Sequence, residues 1–502
     1  MAVHRNRVTY QSEALFISPD STGYHFTGAK TNVPGVGEGP FGLMTPPRDA
    51  NQAFGGTLSH PAKNDQGQLM GWVPGETWPD WNPRGESSVF AEAHGTIIKQ
   101  LKRVQTANYG FTVNRQDINQ FGHAARLDSI IVESPTVNLD FSYYILDGYN
   151  ERLLEFVTDG KTNSLSGLLT PELYQAGNNF FIVTTPEARD AVNGDVNLNE
   201  TVELENSKSV ISLGNGYVTD YTVDISVGAV PTASVTVEGM NIKSDFGTTG
   251  NDLPAVDMRD GSAVSDAWGS TKGELKKGGC TGLFSLPPAS SGYTGCNSDG
   301  RDVAALRPGD VVLDLGNSSL ISKSVEGNAN QPVVGSAHIQ SLSVNLPLAR
   351  TTLQRLGSTF GFSKAIDLPL TVSFSVNAVV ADLKEGNMLD LLCGCEKLDV
   401  GVSIYDPECN GCGTKQGQVA MRYELKGARL ESENFSSSIG DNKTVDLVFT
   451  SQIGGSDDLD NGLFISGKEA TTSANNGLPP AWTGIGGQTT GAASGFLFGY
   501  RA

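Results

Sequence analysis

A chain of 502 residues has room for two to four domains with substantial cores. Hydrophobic residues make up 38%, aromatics 8% and charged residues 18%, with 60 glycines; this mixture favours strands joined by turns over long helices and predicts a mainly β fold. The formal net charge of −20 argues against a basic nucleic-acid surface and against anchoring on anionic lipid, and no run approaches the roughly 18 apolar residues of a membrane span.

The opening stretch MAVHRNRVTY has no apolar signal core, so the expectation is a soluble protein made in the cytoplasm. Residues 1–100 are dense in turn formers, as in TNVPGVGEGPFGLMTPPRD, and read as an irregular N-terminal extension. Either it wraps a neighbouring surface through Trp72, Trp78 and Trp81, or it is an ordinary surface extension.

Regular patterning begins at Val104. Residues 104–157 lie over 339–392 without a gap at a constant offset of 235 (339 minus 104). Gln105 meets Gln340, Arg115 meets Arg350, Gly122 meets Gly357, Asp147 meets Asp382 and Leu154 meets Leu389. Val137, Leu139, Phe141, Tyr143 and Ile145 alternate with small or polar neighbours, and Val372, Phe374, Val376, Ala378 and Val380 alternate in step. Period two in both copies predicts strands with the same buried face.

Each strand gives way to a short helical pattern. Asp147 and Asn150 are candidate caps before ERLLEFV, Asn387 precedes MLDLLC, and Gly160 and Gly394 are placed to stop the turns. Each copy closes with a strand pair. YTVDISVGAVPTASVTVEGM turns around Gly228 to Thr232, and ARLESENFSSSIGDNKTVDLVFTSQ turns at Gly440–Asn442 before Val445, Leu447 and Phe449. Here the offset is 212 (440 minus 228), which predicts an insertion of 23 residues (235 minus 212) within 158–216 of the first copy. The reading is a tandem duplication against the alternative of alternation common to all β domains. It gives an extension at 1–100, a first domain at 101–243, an inserted linker or subdomain at 244–337, a second domain at 338–455, and a Gly/Ser/Thr-rich C-terminal arm at 456–502.

Few residues suggest chemistry. Cys393, Cys395, Cys409 and Cys412 form a C-x-C and a C-x-x-C pair compatible with a structural zinc site, with two disulfides, or with four thiols. Cys280 and Cys296 bracket a Pro-Pro loop that a disulfide could close, and two thiols fit equally. Asp195, Asn197 and Asn199 echo the start of a calcium loop, but Glu200 and Asn206 stand at its sixth and twelfth positions, so the segment reads as a polar turn. His4, His25, His60, His94, His123 and His338 form no metalloprotease spacing, and no nucleophile elbow, P-loop or dinucleotide fingerprint is present, so an enzyme is not expected.

The stretch YTVDISVGAVPTASVTVEGMNI resembles the strand–turn–strand signature of bacteriophage tail tube proteins, carried here by Ser226, Val227, Gly228, Pro231, Ala233, Ser234 and Val235. The second copy departs from it: Lys443 stands where Pro231 does, and Asp446 where Ser234 does. The resemblance implies that each copy is a β-sandwich with a flanking helix, and that its strands join those of neighbours in a barrel around a channel. Single-domain members form stacked hexameric rings, so a chain with two such domains would make the ring as a trimer. Strands carrying Val137, Leu139, Phe141, Tyr143, Val372, Phe374, Val376, Val445, Leu447 and Phe449 are the candidates for that barrel.

On this reading the protein is a virion component and the major tail tube subunit, with an acidic lumen that repels DNA phosphates. Its implied partners are further copies of itself, a tape measure protein and viral DNA in the lumen, baseplate or tip and tail terminator proteins, and in some tails a sheath. No membrane partner is expected, and the only cofactor candidate is zinc. The alternatives are a baseplate or tail-tip hub built from the same duplicated domain, and a carbohydrate-binding tail component using the Trp-rich segment.

Overall fold

The computed structural model describes residues 13–18, 60–63, 69–73, 98–169, 177–185, 191, 209–246, 252–256, 263–265, 275–276, 284–285, 306, 308, 311–314, 339–357, 361, 363–379, 397–405, 419–436, 444–455 and 458–468. The fold is mainly β, as the composition predicts. It opens with β1 (Glu13–Ser18), the hairpin β2 (His60–Lys63) and β3 (Leu69–Val73), and β4 (Ile98–Gln100). Then come β5 (Val104–Thr112), β6 (Arg115–Ile118), β7 (Asp128–Ile131), β8 (Thr136–Tyr144), the helices α1 (Tyr149–Leu153) and α2 (Ser166–Leu169), β9 (Asn178–Thr184), β10 (Ser209–Ser226), β11 (Thr232–Gly239) and β12 (Asn241–Phe246). Five short strands follow: β13 (Asp252–Val256), β14 (Ala263–Ser265), β15 (Leu275–Lys276), β16 (Phe284–Ser285) and β17 (Val311–Asp314). The chain continues through β18 (Ile339–Pro347), β19 (Arg350–Leu353), β20 (Ser363–Ile366), β21 (Thr371–Val379), β22 (Leu398–Tyr405), β23 (Val419–Ser436), β24 (Thr444–Gln452) and β25 (Gly462–Gly467).

Two sets of strands share one pairing pattern. β5, β6, β7 and β8 begin at 104, 115, 128 and 136, and β18, β19, β20 and β21 begin at 339, 350, 363 and 371, each 235 positions later (339 minus 104). In the first set β5 pairs β8, β8 pairs β11 and β11 pairs β10; in the second β18 pairs β21, β21 pairs β24 and β24 pairs β23, all antiparallel. β10 then pairs β18 over Asp220–Ser226 and Ser341–Pro347. The eight strands run as one sheet in the order β5-β8-β11-β10-β18-β21-β24-β23.

Beneath this sheet lie two smaller ones. β4, β1, β9, the Ser209–Gly214 part of β10 and β12 form one, with β16 and β15 continuing it beyond β4; β17, β22, the Met421–Lys426 part of β23 and β25 form the other. Apolar alternation puts Val137, Leu139, Phe141, Tyr143, Val372, Phe374, Val376, Val445, Leu447 and Phe449 in the buried layer between the sheets, within a single core that spans both sets.

β10 and β23 each belong to two sheets, so each must bend. The bend falls at Asn215 (φ 52°) and at Gly427 (φ 65°), both left-handed, a conformation that Gly adopts freely and Asn tolerates best among the rest. Asn215 is buried and grips β13: its Oδ1 accepts from the Val256 N–H at 2.7 Å and its Nδ2 donates to the Val256 carbonyl at 3.0 Å. Asn215→Ala strands both Val256 groups and keeps a β-carbon in a left-handed residue. The expected loss is about 3 kcal/mol, read from urea midpoints, with a smaller loss for Asn215→Gly, which relieves the backbone but not the bonds.

Several boundaries differ from the sequence reading. The N-terminal extension is not wholly irregular, because β1 (EALFIS) pairs β9 with Leu15, Phe16 and Ile17 buried; with only six residues it offers too short a period to stand out. The segment after 455 contains β25 (GLFISG), a buried strand of β23's lower sheet, masked in the sequence by its flanking glycines. β12 runs past 243, and β17, inside 244–337, pairs β22. The extra length of the first set is split around β9: Phe180 opposes Leu213 as Val400 opposes Leu425, so the offset is 220 (400 minus 180) at β9 and 212 (425 minus 213) at β10.

Neither expected cap side chain caps α1 as read. Gly148 is the N-cap, at φ 88° and without a side-chain bond, and the helix stops at Leu154 before reaching Gly160. Asp147 Oδ1 does accept from the Tyr149 N–H at 3.1 Å, but Asn150 turns away to bond both backbone groups of Lys102, at 2.9 and 2.8 Å. The turn between β4 and β5 outcompetes the local cap. The helical pattern at 387–394 lies outside the described residues.

Candidate assembly surface

The eight-stranded sheet has one buried face and one face turned to solvent. Register fixes the second: Asn108, Asp140, Thr236, Asp220 and Pro347 fall in one row across β5, β8, β11, β10 and β18, and Thr106, Ser142, Ser234, Thr222, Asn345, Ser373, Thr450 and Arg429 fall in the next, running on to β23. Hydroxyls and amides dominate, and they bond one another along the rows. Thr106 Oγ1 and Ser142 Oγ are 2.7 Å apart, Thr236 donates to Asp140 at 2.8 Å, and Asn377 donates to Asp446 at 2.5 Å.

Asp140, Asp220, Asp224, Glu238 and Asp446 are the carboxylates on this face, and Arg429 is its guanidinium. Burial pushes the Asp220 carboxyl above the usual range. Glu238 is held by Lys364 at 2.7 Å, so the net charge of the face is modest beside the −20 of the chain. Most of the acid therefore lies elsewhere. Such a face offers polar groups that bond one another and little fixed positive charge.

The two outer strands of the sheet each keep one open side among the described residues. Among the described residues β5 pairs only β8, and the Arg429–Ser436 half of β23 pairs only β24. Open edges of this kind are templates for pairing with another chain. On β5, Tyr109 and Phe111 are 48% and 62% exposed.

Two hairpin arms leave the sheet, β6–β7 between β5 and β8 and β19–β20 between β18 and β21. Their tips carry an apolar residue at matching positions, Phe121 and Leu356, both fully exposed. The base of the second arm is pinned to the first set of strands. The Arg350 guanidinium lies 4.9 Å from the Tyr217 ring centre, its Nε donates to the Val218 carbonyl at 3.4 Å, and Lys364 reaches Glu238. Burial lowers the pKa of both cations, an effect that Glu238 counters at Lys364.

Where the strand sets meet, a polar cluster is wholly buried. Glu151 of α1 accepts from the Tyr143 hydroxyl at 2.9 Å and the Tyr221 hydroxyl at 3.2 Å, and the Tyr221 and Tyr423 hydroxyls lie 3.0 Å apart. Burial pushes the Glu151 carboxyl up to about 7 and the three tyrosines well above their ordinary value. Tyr423 comes from β23 and the others from the first set, so the cluster locks the two together. Backbone bonds add to it: Gly160 N–H donates to the Ile465 carbonyl at 2.9 Å and Ser164 N–H to the Leu463 carbonyl at 2.8 Å.

The signature residues sit at the β10–β11 turn. Gly228 is left-handed (φ 84°), Ala229 N–H bonds back to the Ser226 carbonyl at 3.2 Å, and Val227 N–H donates to the Gln340 carbonyl at 3.0 Å, extending the β10–β18 pairing. Pro231, Ala233 and Val235 are buried, Ser234 faces solvent, and the Pro231 carbonyl accepts from Ile145 at 3.1 Å. All six cysteines, Trp78, Trp81 and the 195–199 segment lie outside the described residues, and of Trp72 only its place in β3 is described. Sequence reasoning passed over the Glu151–tyrosine cluster and the β10–β18 pairing; the one available signal was the charged residues Glu151, Arg152 and Glu155 in the short run ERLLEFV.

No family model matches the chain, and no curated protein matches it. Solved structures do. A sheath–tube complex of an extracellular contractile injection system in the extended state aligns at 11% identity and a TM-score of 0.21, over 31% of this chain and 88% of that one. The tail of an empty GTA particle with C6 symmetry aligns at 13% identity and a TM-score of 0.17, over 29% and 92%. An Hcp protein aligns at 10% identity and a TM-score of 0.19, over 31% and 97%.

Proposed function

We propose that the protein is a structural subunit of the tail-tube type, in which three copies close a ring of six similar places and rings stack into a conduit. The observation that carries this reading is the eight-stranded sheet itself: two four-strand sets of one pattern, joined side by side through β10 and β18, with matching sides left open at β5 and β23. Repeating that arrangement around an axis removes both open edges of the eight-stranded sheet.

Three chains would supply 24 strands. At ~4.7 Å between strands and a tilt of 0 to 40°, the backbone barrel is ~36 to 47 Å across, wide enough after side chains for a duplex roughly 20 Å wide. The Ser/Thr/Asn face with its scattered carboxylates would line the channel, so that phage DNA slides past without adhering. The role is passive, with no catalytic step. In a virion such a tube would enclose a tape measure protein before DNA, meet baseplate and terminator proteins at its ends, and in a contractile tail carry a sheath outside.

Purified protein, concentrated and viewed by negative-stain microscopy with sedimentation velocity alongside, is expected to give hollow rings and tubes. A monomer at every concentration, with and without tail partners, would refute the reading.

A further inference from the structure

We propose that the free side of β5 in one copy pairs antiparallel with the Ser432–Ser436 end of β23 in a second copy, Asn434 lying opposite Gly110. This deepens the tube reading and rests on it for the number of copies that close.

The evidence is a comparison of like positions inside one chain. Leu342, Val344 and Leu346 of β18 are 4%, 0% and 0% exposed, because β10 covers their side of the sheet. The residues 235 earlier (342 minus 107) are Ala107, Tyr109 and Phe111, on the same strand position and facing the same way: they oppose Phe141, Leu139 and Val137, all buried. Yet Tyr109 is 48% and Phe111 62% exposed. Two aromatic rings on the core side of a sheet stay wet for want of one neighbouring strand.

The strand that would cover them is the counterpart of β10. In β10 the partner of β11 skips Thr219; in β23 the partner of β24 skips Glu431, 212 positions later (431 minus 219), so the two strands correspond residue for residue through the bulge. Carrying over the internal pairs Asp220–Pro347, Thr222–Asn345 and Asp224–Ser343 gives Ser432–Thr112, Asn434–Gly110 and Ser436–Asn108. All six sit on the polar face. A slip of one residue would set polar-face residues of β23 opposite Tyr109 and Phe111, whose core-side orientation β8 fixes, so parity alone selects this register or one two residues away.

The joint is heterologous: one copy offers β5 and the other β23, so it closes as a ring or continues as a chain of molecules. Glu433 stands where Tyr221 does, so the outer joint carries a charge where the inner one carries the tyrosine cluster, and it is the one that opens reversibly.

The test mixes two single variants, Gly110→Cys and Asn434→Cys, under mild oxidation, with each alone and the wild-type chain as background. A β-carbon at Gly110 meets nothing within 4 Å, and Asn434 is exposed, so both variants fold. Directly opposed residues in an antiparallel pair come within disulfide reach. Disulfide dimers are expected only in the mixture. Linkage equal in each variant alone, or equal for Asn434→Cys mixed with Thr106→Cys, four residues along, overturns the joint or its register. Tubes on the grid without linkage sink the joint and spare the tube; linked dimers without rings do the reverse; neither linkage nor rings sinks both.

Discussion

Val344→Asp is expected to cost on the order of 4 kcal/mol or more of unfolding free energy, whereas Tyr109→Asp, at the like position of the other strand set, is expected to cost about 1 kcal/mol or less. Val344 is fully buried opposite Val223 at the β10–β18 joint and opposite Phe374 on the other side. Tyr109 already has half its surface in water, so a charge there remains solvated. Urea midpoints measured at dilute protein concentration separate the two. At high concentration the order of effects changes: Tyr109→Asp should block self-association while leaving the monomer intact. Equal losses in dilute solution would mean that β5 is covered within its own chain.

The second large effect concerns pH. Burial raises the Glu151 carboxyl from 4.5 to about 7; Asp147 adds to the rise, and bonds from the Tyr143 and Tyr221 hydroxyls oppose it. Below about pH 4.5 the group is protonated folded or unfolded and contributes its full share of stability. Between there and 7 the folded state holds the proton more tightly, so stability falls as pH rises, by on the order of 3 kcal/mol once the native carboxyl has ionised. The tyrosines keep their protons throughout this window. Glu151→Gln should therefore remove this share of the slope between pH 5 and 8 in urea titrations. A variant with the wild-type slope would assign the dependence to other groups.

Much of the fold was readable because period two is a strong signal when one face is buried. Val137 to Tyr143 and Val372 to Val376 alternate cleanly, and they form β8 and β21. The GAVP turn announced β10 and β11 through Gly228, whose left-handed backbone few other residues adopt. What stayed hidden depends on contacts between distant segments. Nothing local marks Ser341–Pro347 as the partner of β10, since any alternating strand would serve. Tyr143, Tyr221 and Tyr423 look like ordinary aromatic core residues until a glutamate from α1 is seen among their hydroxyls. Short strands such as β1 and β25 fall below the length at which alternation is visible, and Asn150 shows how a tertiary bond can override a local cap.

In the proposed ring of six places, the β10–β18 joint within one polypeptide would make every second seam when the chain folds, before two molecules meet. Six separate units would surrender translational and rotational freedom five times on closing; three fused pairs do so twice, and each event costs an estimated ~4–15 kcal/mol. Joining two places in one chain would thus lower the concentration at which a first ring nucleates, at no expense in contact area.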